Sequence, residues 1–383
     1  LNHKIQLILL FFITLLIGMI FVDFKTTLGK DERAYIANGL DLIDNGFENT
    51  KILPLISVIF YFFSQIFSDT YIGIKSMYIF SLIGIVFSQF YFALKLGEVN
   101  FPIIPSFITL ILPGVLVLNM YGIANLFSTS LLMVSLVLVS LNLKCKSMLI
   151  TIFIGIIFSI LYQCRLEFLF VFLTILLIWP LINDYNKLEV KFIFRDVCIL
   201  ITSFVITLLP WQLHLYENEL FFSHIASGRG WNSVYHFIFN NENPFFLNIF
   251  FNFKKITIIL ANNFFEHLKN LGSPKLLPIL FMPLVGIGFM MIKKCKYLVL
   301  YISPLIIILP ISCYYHPDFD MVRMFTPYLP FYGMCIGMFI CKNFSMKNDY
   351  TLVKFSIVSI LLIVFSTFFL IFGNKTYKLF ILM

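Results

Sequence analysis

The chain has 383 residues, of which 60% are hydrophobic and only 12% are charged, and its mean hydropathy is +0.95. Soluble globular domains are about 45–50% apolar, so this composition excludes an ordinary water-soluble protein. The formal net charge is +8, but the lysines and arginines form short clusters at the ends of apolar segments, so we expect no nucleic-acid partner.

Repeated apolar runs predict an all-α polytopic membrane protein, because a run of about 20 residues crosses about 30 Å of hydrocarbon as a helix. We expect about eleven transmembrane helices in a single domain that covers residues 1–383. Their approximate limits are 5–22, 71–94, 101–118, 123–142, 147–163, 166–182, 196–212, 276–292, 297–314, 322–341 and 352–372.

The first predicted span is followed by an unusual concentration of charge, with five acidic or basic side chains between Lys30 and Asp41. An amphipathic surface helix beginning near Asp31 is predicted by apolar residues at helical spacing, namely Ala37, Leu40, Ile43 and Phe47. A second apolar piece, Leu53–Phe67, is short for a span and begins near Pro54. We interpret it as a re-entrant or interfacial helix.

Basic residues in the short loops predict a multi-pass protein of the cytoplasmic (inner) membrane with its N-terminus in the cytoplasm. Two large segments, residues 23–70 and 213–275, then face outward, and Phe-rich runs in the second one predict helices that lie on the bilayer. The inner turns would contain Lys95, Lys144, Lys146, Lys187, Lys191, Arg195, Lys293, Lys294, Lys296, Lys342 and Lys347.

Ionisable groups on the predicted outer face form four clusters, which are costly near a bilayer unless they are paired or hydrated. Four such clusters converging on one cavity are typical of a site for an anionic substrate. Structural roles stay open for each cluster: an acidic residue caps or begins a helix, an arginine pairs locally or anchors at the interface, and a histidine forms hydrogen bonds there. The clusters are Lys30, Asp31, Glu32 and Arg33; Arg165 and Glu167; His214, Glu217, Glu219, His224 and Arg229; and His316, Asp318, Asp320 and Arg323.

Short motifs also follow one another in a fixed order along most of the chain. They are Asp31-Glu32 with Tyr35, Ala37 and Gly46; Pro54–Phe67; Arg165-Leu166-Glu167; Pro210-Trp211; and the stretch from Arg323 to Pro327 and Pro330. This order resembles the GT-C superfamily of integral membrane glycosyltransferases, in its PMT-like branch. That branch is glycosyltransferase family 39, the protein O-mannosyltransferase and aminoarabinose-transferase type. The chain departs from the family in residues 119–125, where no carboxylate occurs, and at Met324, where the family has Tyr.

The resemblance implies a GT-C-like bundle that transfers a sugar from a polyprenyl-phosphate-linked donor to a hydroxyl of a glycan, lipid or protein acceptor. Asp31, with Glu32, would be the general base at the outer face. A general base contributes about 10²–10⁴-fold to a rate, and arginines stabilise the charge that develops on a phosphate leaving group. The implied donor-phosphate ligands are Arg323, Arg165 and Arg229, and the supporting residues are Lys30, Arg33, Tyr35, Glu167, His316 and Asp318. The resemblance implies no definite cofactor. A divalent metal is an open alternative with weak support, because the second outer loop offers no carboxylate, and no metal ligands are assigned.

Two other classes of protein fit parts of the pattern. An O-antigen or exopolysaccharide polymerase also uses outer arginines, but on polyprenyl-diphosphate-linked oligosaccharides. A lipid or glycan transporter without chemistry would carry charges in mid-span and paired broken helices. Here the predicted spans carry few such charges, and Lys75 near a span end is an exception.

Overall fold

The computed structural model is helical throughout the residues that it describes, with no strand among them. These residues are 2–22, 30–45, 54–67, 69–97, 99–116, 123–165, 167–182, 190–217, 245–273, 276–277, 279–292, 295–314 and 324–343, together with positions 359, 361 and 364. The helices are α1 His3–Val22, α2 Lys30–Asn45, α3 Pro54–Ile66, α4 Thr70–Gly97, α5 Ile103–Ile111, α6 Ile123–Cys145, α7 Met148–Cys164, α8 Phe168–Ile182, α9 Val190–Glu217, α10 Phe245–Leu271, α11 Met282–Met290, α12 Cys295–Ser312 and α13 Tyr328–Asn343.

Among the described residues, four helices, α1, α4, α6 and α9, are long and apolar enough to cross a membrane. Other predicted spans coincide with shorter apolar helices, among them α7, α8, α12 and α13. The all-α class and the membrane character are thus confirmed, whereas the number of eleven spans stays a prediction. The predicted span 352–372 lies almost wholly outside the described residues.

Two predicted spans have different boundaries in the structure, and proline is involved in both. The span expected at 101–118 is interrupted, because α5 ends at Ile111 and Leu112 adopts an extended conformation with ψ 137°. Leu112 precedes Pro113, and the proline ring disfavours a helical conformation of the residue before it. By contrast, α9 continues through Pro210 to Glu217, so Pro210-Trp211 does not end that helix.

The α2 helix is present where the charge cluster predicted it, and it packs along α3. Its apolar residues Leu40 and Ile43 are exposed, whereas the side that carries Glu32 and Gly39 is buried. A Cβ atom at Gly39 would collide with the Ser57 carbonyl oxygen and lie 2.6 Å from Tyr61 Cβ. Glycine therefore lets the two helices approach closely, and this contact turns the carboxylate side of α2 toward the protein.

The Phe-rich runs predicted as helices on the bilayer form one continuous helix, α10. Its outward side carries Phe250 and Phe251, which are 76% and 68% exposed, whereas Asn263 and His267 are buried. The Asn263 side-chain amide donates to the Cys313 carbonyl oxygen at 2.8 Å. α10 thus directs amide and imidazole groups inward and phenyl rings outward.

Among the described residues, Lys95, Lys146 and Arg195 of the predicted inner turns lie at one end of the bundle. The Arg195 guanidinium donates to the Lys146 carbonyl oxygen at 3.5 Å, and Lys95 lies one turn beyond Tyr91, whose hydroxyl is 2.9 Å from Ser140 Oγ. We call this the basic end. The start of α1 reaches the same end of α4, since the Gln6 side chain donates to the Asn100 carbonyl oxygen at 3.1 Å. This arrangement is the one that a positive-inside topology requires.

Two consecutive buried hydrogen bonds connect three helices in the core. The Tyr301 hydroxyl of α12 donates to Gln89 Oε1 of α4 at 2.6 Å, and Gln89 Nε2 donates to the Pro330 carbonyl oxygen of α13 at 2.7 Å. α13 also packs closely on α5: a Cβ at Gly333 would lie 2.7 Å from Thr109 Cα, and one at Gly337 would lie 2.8 Å from Pro105 Cβ. We call this contact between α13 and α5 the glycine seam.

Candidate functional site

A small pocket lies opposite the basic end, where α6 begins and α7 ends. We call it the Arg165 pocket. Its walls come from α6, the turn between α7 and α8, α12 and the turn before α13, and it is lined by Asn125, Ser128, Arg165, Glu167, Phe168, Ile308, Met324 and Pro327. The pocket thus contains one of the four charge clusters predicted from the sequence, Arg165 with Glu167, and its wall includes Met324, the residue that follows Arg323 in the sequence.

Arg165 occupies the pocket because the backbone leaves the helix at this residue. α7 ends at Cys164, and Arg165 has an extended conformation with φ −158° and ψ 127°. Its N–H still donates to the Leu161 carbonyl oxygen at 2.9 Å, and its carbonyl oxygen accepts from the Phe168 N–H at 3.2 Å. These two hydrogen bonds close a tight turn that holds the arginine between α7 and α8.

The Arg165 guanidinium is oriented by two neighbours. Nε forms an ion pair with Glu167 Oε1, and Nη1 donates to Asn125 Oδ1. The pairing of Arg165 with Glu167, an alternative left open by the sequence, is therefore present. A guanidinium has five N–H donors, and among the described residues none accepts from Nη2 of Arg165. Within the described part of the chain, the fixed guanidinium therefore has N–H donors that no neighbour accepts from.

A second group of polar residues, three of them buried, connects α2 with α4. The Tyr78 hydroxyl donates to Glu32 Oε1 at 3.0 Å, and both side chains are almost fully buried. The ammonium of Lys75 lies 4.9 Å from the centroid of the Tyr78 ring and 4.9 Å from that of Tyr71. We call these four residues the Glu32 cluster.

The Arg165 pocket and the Glu32 cluster lie at similar depths on neighbouring helices. α4 and α6 run parallel, because Gly84 abuts Ser130 and Tyr91 contacts Ser140. Tyr78 lies about 9 Å before Gly84 along α4, and Asn125 lies about 8 Å before Ser130 along α6, at 1.5 Å per residue. The residues that hold Glu32 and Arg165 are therefore almost level with each other.

Among the predicted site residues with described side chains, Arg165 and Glu167 lie in the pocket and Glu32 in its own cluster. Arg33 is exposed, and Tyr35 packs with its ring centroid 4.9 Å from that of Phe60. The side chains of Lys30 and Asp31 lie outside the described part, although both residues belong to α2. Four predicted donor-phosphate or supporting groups also fall outside the described residues: Arg229, His316, Asp318 and Arg323.

Several site residues were not identified from the sequence. Asn125 was noted only as part of a segment without a carboxylate, yet it orients Arg165. Tyr78 is one of many span tyrosines, and His267 was not singled out. The ring of His267 lies 5.6 Å from that of Phe325, next to the pocket residue Met324. For Tyr78, the sequence offered one signal: its neighbour Lys75 is a charge within a predicted span.

No group of three or more His, Cys, Asp or Glu side chains that could hold a metal ion occurs among the described residues. In comparisons with known proteins, no family model matches the chain and no curated protein matches it. The case for a function therefore depends on the residues themselves.

Proposed function

We propose that this chain is a membrane glycosyltransferase. It would move a sugar from a polyprenyl-phosphate-linked donor to an acceptor hydroxyl at the outer face of the cytoplasmic membrane. In this proposal, Asp31 removes the proton of the attacking hydroxyl, and the arginines stabilise the departing phosphate. The N-terminus and the basic end then face the cytoplasm.

The observation that carries the proposal is the Arg165 pocket. It holds an arginine that is fixed by Glu167 and Asn125 and whose Nη2 has no acceptor among the described residues. Fixed arginine donors in a partly dehydrated site suit a phosphate, because they need no reorganisation when negative charge develops. Met324 brings the segment that follows Arg323 to the same pocket, so a second cation of the predicted donor site is close in sequence to its wall.

The position of the Glu32 cluster supports the assignment of a base. Glu32 is 4% exposed and lies on α2 directly after Asp31. Its partner Tyr78 is level with Asn125 along the parallel helices α4 and α6. A carboxylate pair and a phosphate site at one depth are what a single displacement at a lipid-linked sugar requires.

A transfer assay with the purified protein in lipid nanodiscs tests this function. The donors are polyprenyl-monophosphate sugars and, separately, polyprenyl-diphosphate oligosaccharides, each supplied with glycan, lipid A and peptide acceptors. We expect transfer from a monophosphate donor, and Arg165→Gln is expected to lower kcat/KM for that donor about 100-fold. A matched control is Arg195→Gln, since Arg195 also pairs with a neighbouring acid, Asp196 at 2.7 Å, but at the basic end.

Different products would point to the other two classes of protein. Chain extension from diphosphate donors alone would replace the proposal with a polymerase. Movement of labelled lipid across a vesicle membrane without any transfer would indicate a transporter. Equal losses in Arg165→Gln and Arg195→Gln would remove the argument that the Arg165 pocket binds the donor.

A further inference from the structure

Lys75 is a buried ammonium in an otherwise apolar helix. It lies within the candidate membrane span Thr70–Gly97 and is 4% exposed. Lysines in such segments are costly and rare, and they mark functional positions more often than structural ones. The function proposed above assigns no role to this residue.

Two aromatic rings hold the Lys75 ammonium. Tyr71 lies one turn before it and Tyr78 lies three residues after it, so all three side chains share one side of α4. Nζ is 4.9 Å from the centroid of each ring. A cation this close to a ring is attracted by its π electrons, and the attraction is stronger where water is excluded.

Tyr78 connects the ammonium to α2. Its ring contacts Lys75, while its hydroxyl donates to Glu32 at 3.0 Å. The ring orientation that suits the ammonium therefore also aims the hydroxyl at the carboxylate. The Lys75 cation at the Tyr78 ring and the Glu32 carboxylate at the Tyr78 hydroxyl polarise this phenol in the same direction. This polarisation strengthens the hydrogen bond from Tyr78 to Glu32.

We propose that Lys75 is a positioning residue that acts through Tyr78 to hold the Asp31–Glu32 end of α2 against α4. The anchoring of α2 follows from the geometry alone, whereas the effect of Lys75 on sugar transfer rests on the proposed function. Lys75 positions the end of α2 that carries the acidic pair and does not itself touch the reacting atoms.

Hydrogen exchange of the full-length protein in nanodiscs tests the anchor without any activity. In Lys75→Met, the amides of α2 are expected to exchange about 5- to 30-fold faster, while those of α6 stay unchanged and show that the bundle is folded. Lys75→Arg keeps a cation beside the rings and is expected to restore slow exchange. The matched control is Lys95→Met, because Lys95 lies 5.5 Å from the Tyr91 ring on the same helix but at the basic end.

A double-mutant cycle on transfer tests the route through Tyr78. Lys75→Met is expected to lower kcat about tenfold and leave the donor KM within about twofold of its value in the wild type. Tyr78→Phe is expected to lower kcat similarly, and the double variant is expected to be no worse than either single one, because both changes break the same connection.

Unchanged exchange in α2 of Lys75→Met would overturn the proposal, whatever the activity. An increase in the donor KM with kcat unchanged would also overturn it, and would make Lys75 a donor ligand. Additive losses in the cycle would exclude the route through Tyr78. Faster exchange in α2 combined with a wild type that transfers no sugar would support the anchor and remove the proposed function.

Discussion

Glu32 and Tyr78 are 46 positions apart in the chain, yet one hydrogen bond of 3.0 Å joins their side chains inside the protein. This bond connects the charge-rich helix α2 to the candidate span α4. It also brings a carboxylate next to Asp31 to a fixed depth in the bundle.

Removing the Tyr78 hydroxyl is expected to slow transfer. Tyr78→Phe leaves a buried carboxylate without one donor, and a hydrogen bond to a charged group is worth about 1.5–3 kcal/mol. We expect kcat to fall about tenfold as the end of α2 loses its position. Tyr91→Phe is the control, since it removes a 2.9 Å bond to Ser140 at the basic end. If both variants lost the same activity, the Glu32 bond would have no special role.

Asp31 is expected to be indispensable for chemistry and dispensable for folding. Asp31→Asn keeps the size of the side chain and removes its basicity, so transfer should fall about 10²–10⁴-fold. Asp44→Asn on the same helix changes an exposed carboxylate and should leave transfer intact. Transfer rates and melting temperatures of both variants are the measurements. A fully active Asp31→Asn would remove the base assignment.

Widening the contact between α2 and α3 is expected to disturb the site from a distance. At Gly39 even a methyl group would collide with the Ser57 carbonyl oxygen. Gly39→Ala should therefore lower the melting temperature and increase exchange in α2, since overpacking costs about 1–3 kcal/mol. Gly286→Ala has open space around the new methyl group, and it should be neutral or stabilising by up to about 1 kcal/mol. Equal melting temperatures for the two variants would contradict the close contact.

Gln89 is expected to contribute to the stability of the fold and not to donor binding. Gln89→Leu leaves the Tyr301 hydroxyl and the Pro330 carbonyl oxygen without their partner. Interhelical hydrogen bonds in membrane proteins contribute about 0.6 kcal/mol on average and up to about 1.7 kcal/mol. The free energy of unfolding should fall by about that amount for each bond, while the donor KM stays unchanged. A large change in the donor KM at full stability would indicate a direct role in donor binding.

Much of the architecture was predictable because it depends on local pattern. The helical period and the charges after the first span predicted α2, and its observed start at Lys30 agrees with the expectation near Asp31. Pro54 likewise begins α3. The interruption at Leu112 was missed. Leu112 precedes Pro113, which disfavours a helical conformation, but a hydropathy average over a whole span does not register two residues.

The composition of the site was less predictable because it depends on tertiary contacts. The sequence indicated Arg165 and Glu167 as one cluster and left open whether the arginine pairs locally or binds the donor phosphate. The structure shows the ion pair between them. It gave no reason to select Asn125 or Tyr78 among similar residues, because their partners are 40 and 46 positions away. The convergence of the Asp31 and Arg323 clusters on one cavity stays a prediction.

The glycine seam between α13 and α5 has a consequence for the pocket. The turn that carries Met324 and Pro327 leads directly into α13, and Gly333 lies about 9 Å further along that helix. The seam therefore fixes where α13 lies against α5, and the turn just before α13 forms the Met324 wall of the pocket. One added methyl group at Gly333 would shift that wall without altering any side chain in the pocket. The position of the Met324 wall is thus tied to a contact between two helices that lies outside the Arg165 pocket.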